Sequence, residues 1–197
     1  MEIGITGYIG AGKDEVSKII ASEYGFSVLS FGNEVREEAK KRGIEGSREE
    51  LQNLGDLLRR EEDPSVWARR LMTKIMQGNN YVIDGIRNIE DVFELRKLKD
   101  FYLIGIDAPI GIRCERILKR KRKGDPTTFQ EFLAADRKDR VGGNDSIGQN
   151  SEYCYKQADY FIYNLEGKDV LKTRVYEIMK VVLGKREAVT NILNPKT

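Results

Sequence analysis

A glycine-rich segment near the start of the chain constrains its fold more than any other feature. Residues 7–14 read GYIGAGKD, which follows the phosphate-binding pattern G-x-x-x-x-G-K-[ST] at every position except the last. An apolar run over residues 2–6 precedes this segment, and helical spacing over residues 13–24 follows it. The order of strand, glycine loop and helix separates a phosphate-binding loop from a chance glycine turn.

The loop and the first helical turn are therefore predicted to bind a nucleotide. Glycines allow successive backbone N–H groups to point at one phosphate, where they meet the positive end of the helix. Lys13 is expected to reach the β- and γ-phosphates and to act in catalysis. The predicted nucleotide-binding residues are Gly7, Tyr8, Ile9, Gly10, Ala11, Gly12, Lys13, Asp14 and Glu15.

The last motif position departs from the pattern, because Asp14 stands where a serine or threonine usually binds Mg²⁺. A carboxylate beside phosphates is tolerated when the metal lies between them, since Mg²⁺ prefers carboxylate and phosphate oxygens and retains several waters. Asp14 is then predicted to be a metal ligand, through water. The alternative is a first-turn residue that the helix dipole favours.

Short apolar runs alternate with helical stretches along the chain, as is typical of an α/β protein. The predicted strands cover residues 2–6, 27–30, 81–84, 101–107 and 160–164. Their apolar character without alternation indicates burial on both faces of a parallel sheet. Helices are predicted over residues 13–24, 33–42, 47–61, 64–77, 89–99, 110–121, 128–137 and 168–183. The predicted fold is an α/β P-loop NTPase with three α/β/α layers and a five-stranded parallel sheet.

Two long segments depart from strict alternation of strand and helix. Residues 31–79 are mostly helical and are predicted to form an acceptor-binding insert. Residues 113–157 are rich in arginine and punctuated by glycine, and they are predicted to form a mobile lid. The 197 residues suit a single domain over 1–184, followed by a tail, residues 185–197, whose weak periodicity is compatible with disorder.

Composition excludes several functional classes. The chain has no histidine and only two cysteines, which excludes histidine catalysis and argues against disulfide frameworks and the usual zinc sites. A formal net charge of +2 gives no global reason to expect nucleic acid or an anionic membrane as a partner. No apolar run approaches the roughly 18 residues that span a bilayer. We expect a cytoplasmic protein with small-molecule partners, and the sequence leaves its oligomeric state open.

Beyond the loop, four further segments resemble the P-loop nucleoside monophosphate kinases. In order along the chain they are SFGNEVREEAKKRG, YVIDGIRNIEDVFELR, IDAPIGIRCERILKRKRKGDP and QADYFIYN. The similarity is strongest to an archaeal family of adenylate-kinase-related proteins, and dephospho-CoA kinase and the phage deoxynucleoside monophosphate kinases are more distant relatives. This resemblance implies a kinase that uses ATP and Mg²⁺ to phosphorylate a small nucleotide-like acceptor.

Two arginines match the acceptor-phosphate arginines of these kinases. The resemblance assigns Arg36 from its place after Ser30-Phe31-Gly32, and Arg87 from the segment DGIR, where the family has D-G-x-P-R. Arg36 also lies one turn into the helix after the second strand, where open α/β sheets bind ligands. Taken without the resemblance, Arg36 fits a surface position on a helix rich in Glu and Lys better.

A carboxylate ends the third predicted strand beside the phosphate loop. Asp84 is predicted to hold water on Mg²⁺ or to orient the attacking oxygen. The other interpretation is an N-cap for the next helix, a place that Asn88 suits better. Asp84 is therefore a predicted catalytic and metal-binding residue, together with Lys13 and Asp14.

Arginines 113, 116, 120 and 122 form the basic cluster that a phosphate-covering lid needs, since guanidinium groups match phosphoryl oxygens. Arg116 and Arg120, four residues apart on one helix face, are the predicted catalytic pair. Arg137 and Arg140 are further candidates from the second half of the lid. The run KRKRK, residues 119–123, also fits a solvated helix end or a patch for RNA or acidic lipid.

Three remaining residues favour structural roles. Asp159 and Asn164 are predicted to shape the adenine pocket or the turn of the last strand, and Trp67 to pack between helices, with stacking on a substrate left open. The acceptor is predicted to be a nucleoside or deoxynucleoside monophosphate, because its ionised phosphate needs no base. Dephospho-CoA-like transfer to a ribose hydroxyl and a nucleotide-dependent switch or ATPase stay as alternatives.

Overall fold

Five parallel strands form one sheet in the order β2-β3-β1-β4-β5. The structure, a computed structural model, describes residues 1–44, 47–122, 124–142, 148–165 and 167–193. The strands are β1 (Glu2–Gly7), β2 (Ser27–Ser30), β3 (Tyr81–Asp84), β4 (Phe101–Asp107) and β5 (Tyr160–Tyr163). The register pairs Ser30 with Asp84 across β2 and β3, so the end of β2 lies beside the predicted catalytic carboxylate. The predicted five-stranded parallel sheet is confirmed.

Helices follow each strand and cover the sheet. They are α1 (Lys13–Tyr24), α2 (Phe31–Lys41), α3 (Arg48–Glu61), α4 (Val66–Met72), α5 (Ile89–Leu95), α6 (Ile110–Arg120), α7 (Phe129–Val141), α8 (Ser151–Lys156) and α9 (Lys168–Leu193). A capping box starts α3, where the Ser47 side chain accepts from Glu50 N and the Ser47 N–H donates to the Glu50 carboxylate.

Two apolar clusters lie on opposite faces of the sheet. Ile3 and Ile5 of β1 belong to one cluster, which packs against α1 and α9. Ile83 of β3 and Leu103 of β4 belong to the other, which packs against α3, α4, α5 and α8. Because successive strand residues face opposite sides, β3 and β4 contribute to both clusters, with Val82 and Ile104 in the first and Ile83 and Leu103 in the second. The three-layer α/β/α architecture is thereby confirmed.

Element ends differ from the predictions in several places. Helix α7 continues to Val141, four residues beyond its predicted end, and α4 stops at Met72, five residues early. Helix α8 has no counterpart in the predicted elements, and it is capped by the Asn150 side chain, which accepts from Tyr153 N. Residues 143–147 and Lys123 of the predicted lid lie outside the described residues.

The last helix also extends further than expected. The sequence predicts a helix that ends at residue 183, because the tail that follows has weak periodicity. Helix α9 instead runs to Leu193, so most of the tail over 185–197 is helical in backbone conformation. Residues 194–197 of the predicted tail lie outside the described residues. Of the helices described, none has the length and apolar character to cross a membrane.

Candidate active site

The loop between β1 and α1 turns at glycines with positive φ. Gly10 has a φ of 76°, and a Cβ there would lie 2.4 Å from the carbonyl oxygen of Arg113. Gly12 has a φ of 109°, and a Cβ there would lie 2.5 Å from Nδ2 of Asn164. Glycine is therefore needed for both the turn and the close approach of the neighbouring elements. Helix α1 begins directly after this loop, as phosphate binding at a helix N-terminus requires.

A buried arginine supports the loop from α6. Arg113 is 2% exposed, and it donates from Nε to the Ala108 carbonyl at 2.9 Å and from Nη1 to the Ile9 carbonyl at 3.0 Å. Both of its Nη groups also bind the carboxylate of Asp136 on α7. The prediction that Arg113 belongs to the phosphate-covering cluster is not met, because its guanidinium is used to fix the loop backbone.

Arg116 also contacts the loop backbone. Its Nη1 donates to the Ala11 carbonyl at 3.3 Å, and its Nη2 donates to the backbone and side-chain oxygens of Asn164. Asn164 in turn donates from Nδ2 to the Ala11 carbonyl at 2.8 Å. Asn164 therefore has a structural role at the end of the last strand. Arg116 thus lies at the loop, whereas Arg120, the other residue of the predicted catalytic pair, lines the cavity described below.

Lys13 is buried against the same loop. Its Nζ donates to the carbonyl of Gly7 at 2.7 Å and to that of Tyr8 at 2.8 Å. Burial and the positive charge of Arg87 lower the pKa of Lys13 to about 8, against the opposing effect of nearby carboxylates. The amine therefore lies at the predicted donor site, and it loses its proton at a lower pH than an ordinary lysine does.

Asp84 has the environment of a reactive or metal-binding carboxylate. Its Oδ1 is buried and has no hydrogen-bonding partner among the described residues. Burial and the negative charge of Asp14 raise the pKa of Asp84. A buried oxygen without a partner is costly, so this atom fits a cation or a water-mediated contact to one. Asn88 and not Asp84 caps α5, as its side chain accepts from Glu90 N at 2.9 Å.

Asp14 forms an ion pair with an arginine of the predicted lid. Its Oδ2 accepts from Nη1 of Arg122 at 3.0 Å, and about half of the Asp14 side chain is exposed. Burial opposes ionisation, but Arg122 and Lys13 together hold the pKa of Asp14 below its ordinary value. The ionised carboxylate fits a metal ligand and also a contact point for the lid.

The carboxylates of the site match one common mode of Mg²⁺ binding. No group of three or more His, Cys, Asp or Glu side chains that would hold a metal occurs in the described ranges. Two carboxylates, Asp14 and Asp84, face the same space beside the loop. Mg²⁺ is commonly bound by one or two carboxylates together with phosphate oxygens and water, so these two residues match that mode.

A cavity of about 880 Å³ extends from α1 across to α2, α3 and α4. Its charged lining includes Asp14, Asp84, Arg36, Arg87, Arg120 and Arg122. Apolar groups of Phe31, Val35, Leu51 and Trp67 line another part of it. The structure therefore brings both predicted acidic residues, both predicted acceptor arginines and Arg120 to one cavity.

Each of the two predicted acceptor arginines bonds a polar neighbour. Arg36 donates from Nη2 to Oδ1 of Asn33 at 2.6 Å, next to Gly32, where a Cβ would lie 3.3 Å from the guanidinium. Arg87 donates from Nη1 to Oδ1 of Asp139 on α7 at 2.9 Å. Both guanidinium groups are thereby oriented along the cavity wall.

One carboxylate organises the arginines of the predicted lid. Arg120 donates from Nε and Nη2 to the two oxygens of Asp125, at 2.8 and 2.6 Å. The same carboxylate accepts from the backbone N–H of Arg122 at 3.1 Å. Asp125 raises the pKa of Arg120, which keeps the guanidinium charged at the cavity.

Several acidic partners escaped the sequence analysis, namely Asp125, Asp136 and Asp139. No motif marks them, and the only signal is an excess of acidic over basic residues in 125–139, which indicates counter-ions for the arginines.

Trp67 is buried as predicted and donates from Nε1 to the Gly55 carbonyl at 3.0 Å, although it also lines the cavity. Asp159 has the predicted structural role, since it accepts from Leu103 N and from Arg96.

Arg137 and Arg140 occupy different positions on α7. Arg137 is exposed, and it is not among the residues that line the cavity. The guanidinium of Arg140 lies 4.4 Å from the centre of the Tyr8 ring and pairs with Glu152. Arg140 thus packs on the phosphate loop from outside.

The parallel sheet, the glycine loop and the arginine-lined cavity together define a P-loop kinase-like protein. Solved structures with this fold include a shikimate kinase from Acinetobacter baumannii in complex with shikimate, with a TM-score of 0.57, 16% identity and 93% of each chain covered. A gluconokinase from Sinorhizobium meliloti 1021 has a TM-score of 0.55 and 13% identity over 96% of this chain and 95% of its own. At such identities the likeness concerns the fold alone.

Sequence relatives give the family. A family model described as an AAA domain matches residues 6–132. A UPF0200 protein from Pyrococcus abyssi is 34% identical over 93% of this chain and 97% of its own length. Another, from Thermoplasma volcanium, is 34% identical over 89% of this chain and 94% of its own length. The chain belongs to the UPF0200 family of archaeal P-loop proteins, which confirms the predicted archaeal resemblance.

Proposed function

We propose that this protein is a kinase that transfers the γ-phosphoryl group of ATP to a small nucleotide-like acceptor, a nucleoside or deoxynucleoside monophosphate. The observation that carries the proposal is the meeting of Asp84, Arg36 and Arg87 in one cavity beside the phosphate loop. A phosphate loop alone fits any nucleotide-hydrolysing protein. Two further arginines in the same cavity indicate a second anionic ligand.

The donor side is built by the loop. Lys13 and the loop N–H groups bind the phosphates of ATP, and Glu15 follows them in the first helical turn. Arg116 acts on this side, since it fixes the Ala11 carbonyl and hence the loop shape. Asp14 and Asp84 would hold Mg²⁺, which neutralises charge on the β- and γ-phosphate oxygens when it is bound.

The acceptor side is built by helix α2 and by the turn after β3. Arg36 and Arg87 bind the acceptor phosphate, because guanidinium forks match its oxygens and stay protonated. Asp84 orients the attacking oxygen, directly or through water. Arg120 neutralises the charge that spreads over the transferring group. An ionised phosphate acceptor requires no general base, in agreement with the lack of histidine.

A hydroxyl acceptor is the second candidate, and the Asp84 carboxylate is the observation that favours it. A buried carboxylate with a raised pKa and an unpartnered oxygen is suited to remove a proton from an alcohol. The two arginines favour the monophosphate, since an alcohol as such offers them no anionic group. A dephospho-CoA-like acceptor would combine a hydroxyl with distant phosphates.

A coupled ADP-release assay distinguishes these candidates. The full chain is incubated with ATP and Mg²⁺ and with nucleoside monophosphates, deoxynucleotides or dephospho-CoA in turn. We expect at least one monophosphate to raise ADP release about tenfold above the ATPase background, with no increase in Lys13→Ala. Stimulation by dephospho-CoA alone would favour the hydroxyl acceptor. ATP hydrolysis that no acceptor stimulates would favour a nucleotide-dependent switch.

A further inference from the structure

A second cavity, of about 420 Å³, lies between α3 and α7 and adjoins the first. The two cavities share the lining residues Gln52, Asp56, Gly124, Asp125 and Gln149. The phosphate-binding arginines Arg36 and Arg87 line only the first cavity. A ligand whose phosphate meets these arginines therefore has room to extend past α3 toward α7.

Several polar side chains around this junction are bonded within the protein. Asp125 binds Arg120, and Gln149 accepts from Arg87. The next residue along the same face of α3, Arg59, is bonded to Asp91 and to the Pro64 carbonyl. These groups are already used to hold the helices and the predicted lid together.

Gln52 and Asp56 differ from these neighbours. They lie four residues apart on α3, and neither side chain has a hydrogen-bonding partner in the part of the chain that the structure describes. Asp56 is partly buried, and burial raises its pKa in spite of the positive charges of Arg59, Arg60 and Lys138. A carboxylate and an amide that face a shared cavity without partners are suited to a polar ligand.

The chemistry of the two side chains limits the ligand. A carboxylate accepts hydrogen bonds from amino groups, as acidic side chains do from the cytosine amino group. An amide donates and accepts side by side, as Gln does toward adenine. A ring that carries an exocyclic amino group beside a ring nitrogen fits both. Uracil has a carbonyl oxygen where cytosine has its amino group, and hypoxanthine has one where adenine has its amino group. A carboxylate would repel that oxygen.

We propose that Asp56 and Gln52 recognise the base of the acceptor nucleotide and select bases that carry an exocyclic amino group. This inference rests on the proposed function, because it places the phosphate of the acceptor at Arg36 and Arg87. Asp56 accepts from the amino group, and Gln52 bonds the neighbouring ring edge. Both are specificity-determining residues and take no part in the transfer itself.

The test measures binding without turnover. Trp67 is the one tryptophan of the sequence and lines the first cavity, so its fluorescence reports occupancy, and titration calorimetry gives the same constants independently. The probes are matched pairs, CMP against UMP and AMP against IMP, without ATP. We expect the amino-bearing member of at least one pair to bind about tenfold more tightly.

Variants assign this preference to the two side chains. Asp56→Asn should bring the affinities of the pair to within about threefold, by weakening the amino-bearing member, and Gln52→Ala should reduce the preference partly. Glu61→Gln changes an exposed carboxylate of α3 that lines neither cavity, and it should leave the preference intact.

The outcomes separate this inference from the proposed function. Equal binding within each pair, or a preference that survives Asp56→Asn, would overturn the role of Asp56 and leave the kinase proposal standing. Discriminating binding without phosphoryl transfer would contradict the kinase proposal alone. Binding of no mononucleotide at all would overturn both.

Discussion

Arg87 donates a hydrogen bond from Nη1 to Oδ1 of Asp139 at 2.9 Å, and both charges act on the buried amine of Lys13. Arg87 lowers the pKa of Lys13, and Asp139 raises it. Asp139 also accepts from the hydroxyl of Ser151, which fixes its position on α7. The phosphate loop, the acceptor side and the predicted lid are thus coupled electrostatically through one ion pair.

ATP binding should weaken as the pH rises through about 8, the pKa of Lys13. The folded pKa lies below the ordinary 10.5, so the ammonium charge is present below about pH 8 and is lost above it. Calorimetric titration of ATP across this range measures the effect. Lys13→Arg is the control, because its charge persists and its affinity should stay level.

The same ion pair predicts the direction of two shifts in that profile. Asp139→Asn removes a charge that raises the pKa of Lys13, so the loss of ATP affinity should begin at lower pH. Arg87→Gln removes a charge that lowers this pKa, so the loss should begin at higher pH. Identical profiles in both variants would contradict the coupling.

Removal of either acceptor arginine should abolish transfer and spare the donor site. Arg36→Ala and Arg87→Ala should each lower acceptor-stimulated ADP release by about a hundredfold or more, as lost phosphate contacts do in phosphoryl transfer. At pH 7 the dissociation constant of ATP should change by less than about threefold. Arg42→Ala, at an exposed arginine beside α2 that pairs with Glu38, serves as the control. Unaltered turnover in both acceptor-site variants would argue against a kinase.

The two interpretations of Asp14 predict different dependences of activity on the Mg²⁺ concentration. As a metal ligand, Asp14→Asn should raise the Mg²⁺ concentration for half-maximal activity by about tenfold, while Arg122→Ala should leave it unchanged. As a contact point for the lid, both variants should show the same loss of activity and a normal Mg²⁺ requirement. Mg²⁺ titrations of the two variants and of Asp14→Ser measure the difference. We expect the first pattern.

The buried pair of Arg113 and Asp136 should stabilise the fold and take no part in specificity. Asp136→Ala leaves a guanidinium without its carboxylate in the protein interior, which should lower the free energy of unfolding by about 3–5 kcal/mol. Urea unfolding measures the change. The double variant Arg113→Met with Asp136→Leu removes both charges and should recover much of the loss. A cost below about 1 kcal/mol for Asp136→Ala would indicate a solvated pair.

Local sequence was sufficient for the sheet and the loop. Strands such as β1 are short, apolar and bounded by glycine or polar turns. In GYIGAGKD the spacing of the glycines and the lysine is typical of a phosphate-binding loop between a strand and a helix. The end of α9 was missed because the tail over 185–197 has weak apolar periodicity, although the helix runs to Leu193. Helix α8 has six residues, too few for a recognisable period.

The separate roles of the arginines on α6 could not be predicted from the sequence. Arg113, Arg116 and Arg120 are chemically identical and three to seven residues apart, yet one is buried on Asp136, one bonds the loop and one faces the cavity. The choice among them depends on contacts across long stretches of chain, such as that from Arg113 to Ile9. Helical periodicity does not carry that information.

Direct detection of the transferred group tests the central claim. The protein is incubated with ATP radiolabelled on its γ-phosphoryl group, Mg²⁺ and a mixture of nucleoside and deoxynucleoside monophosphates, and the products are separated and identified. The account predicts label in a nucleoside diphosphate, lost in Lys13→Ala and in Arg87→Ala. Label found only in inorganic phosphate, with every monophosphate unmodified, would contradict it.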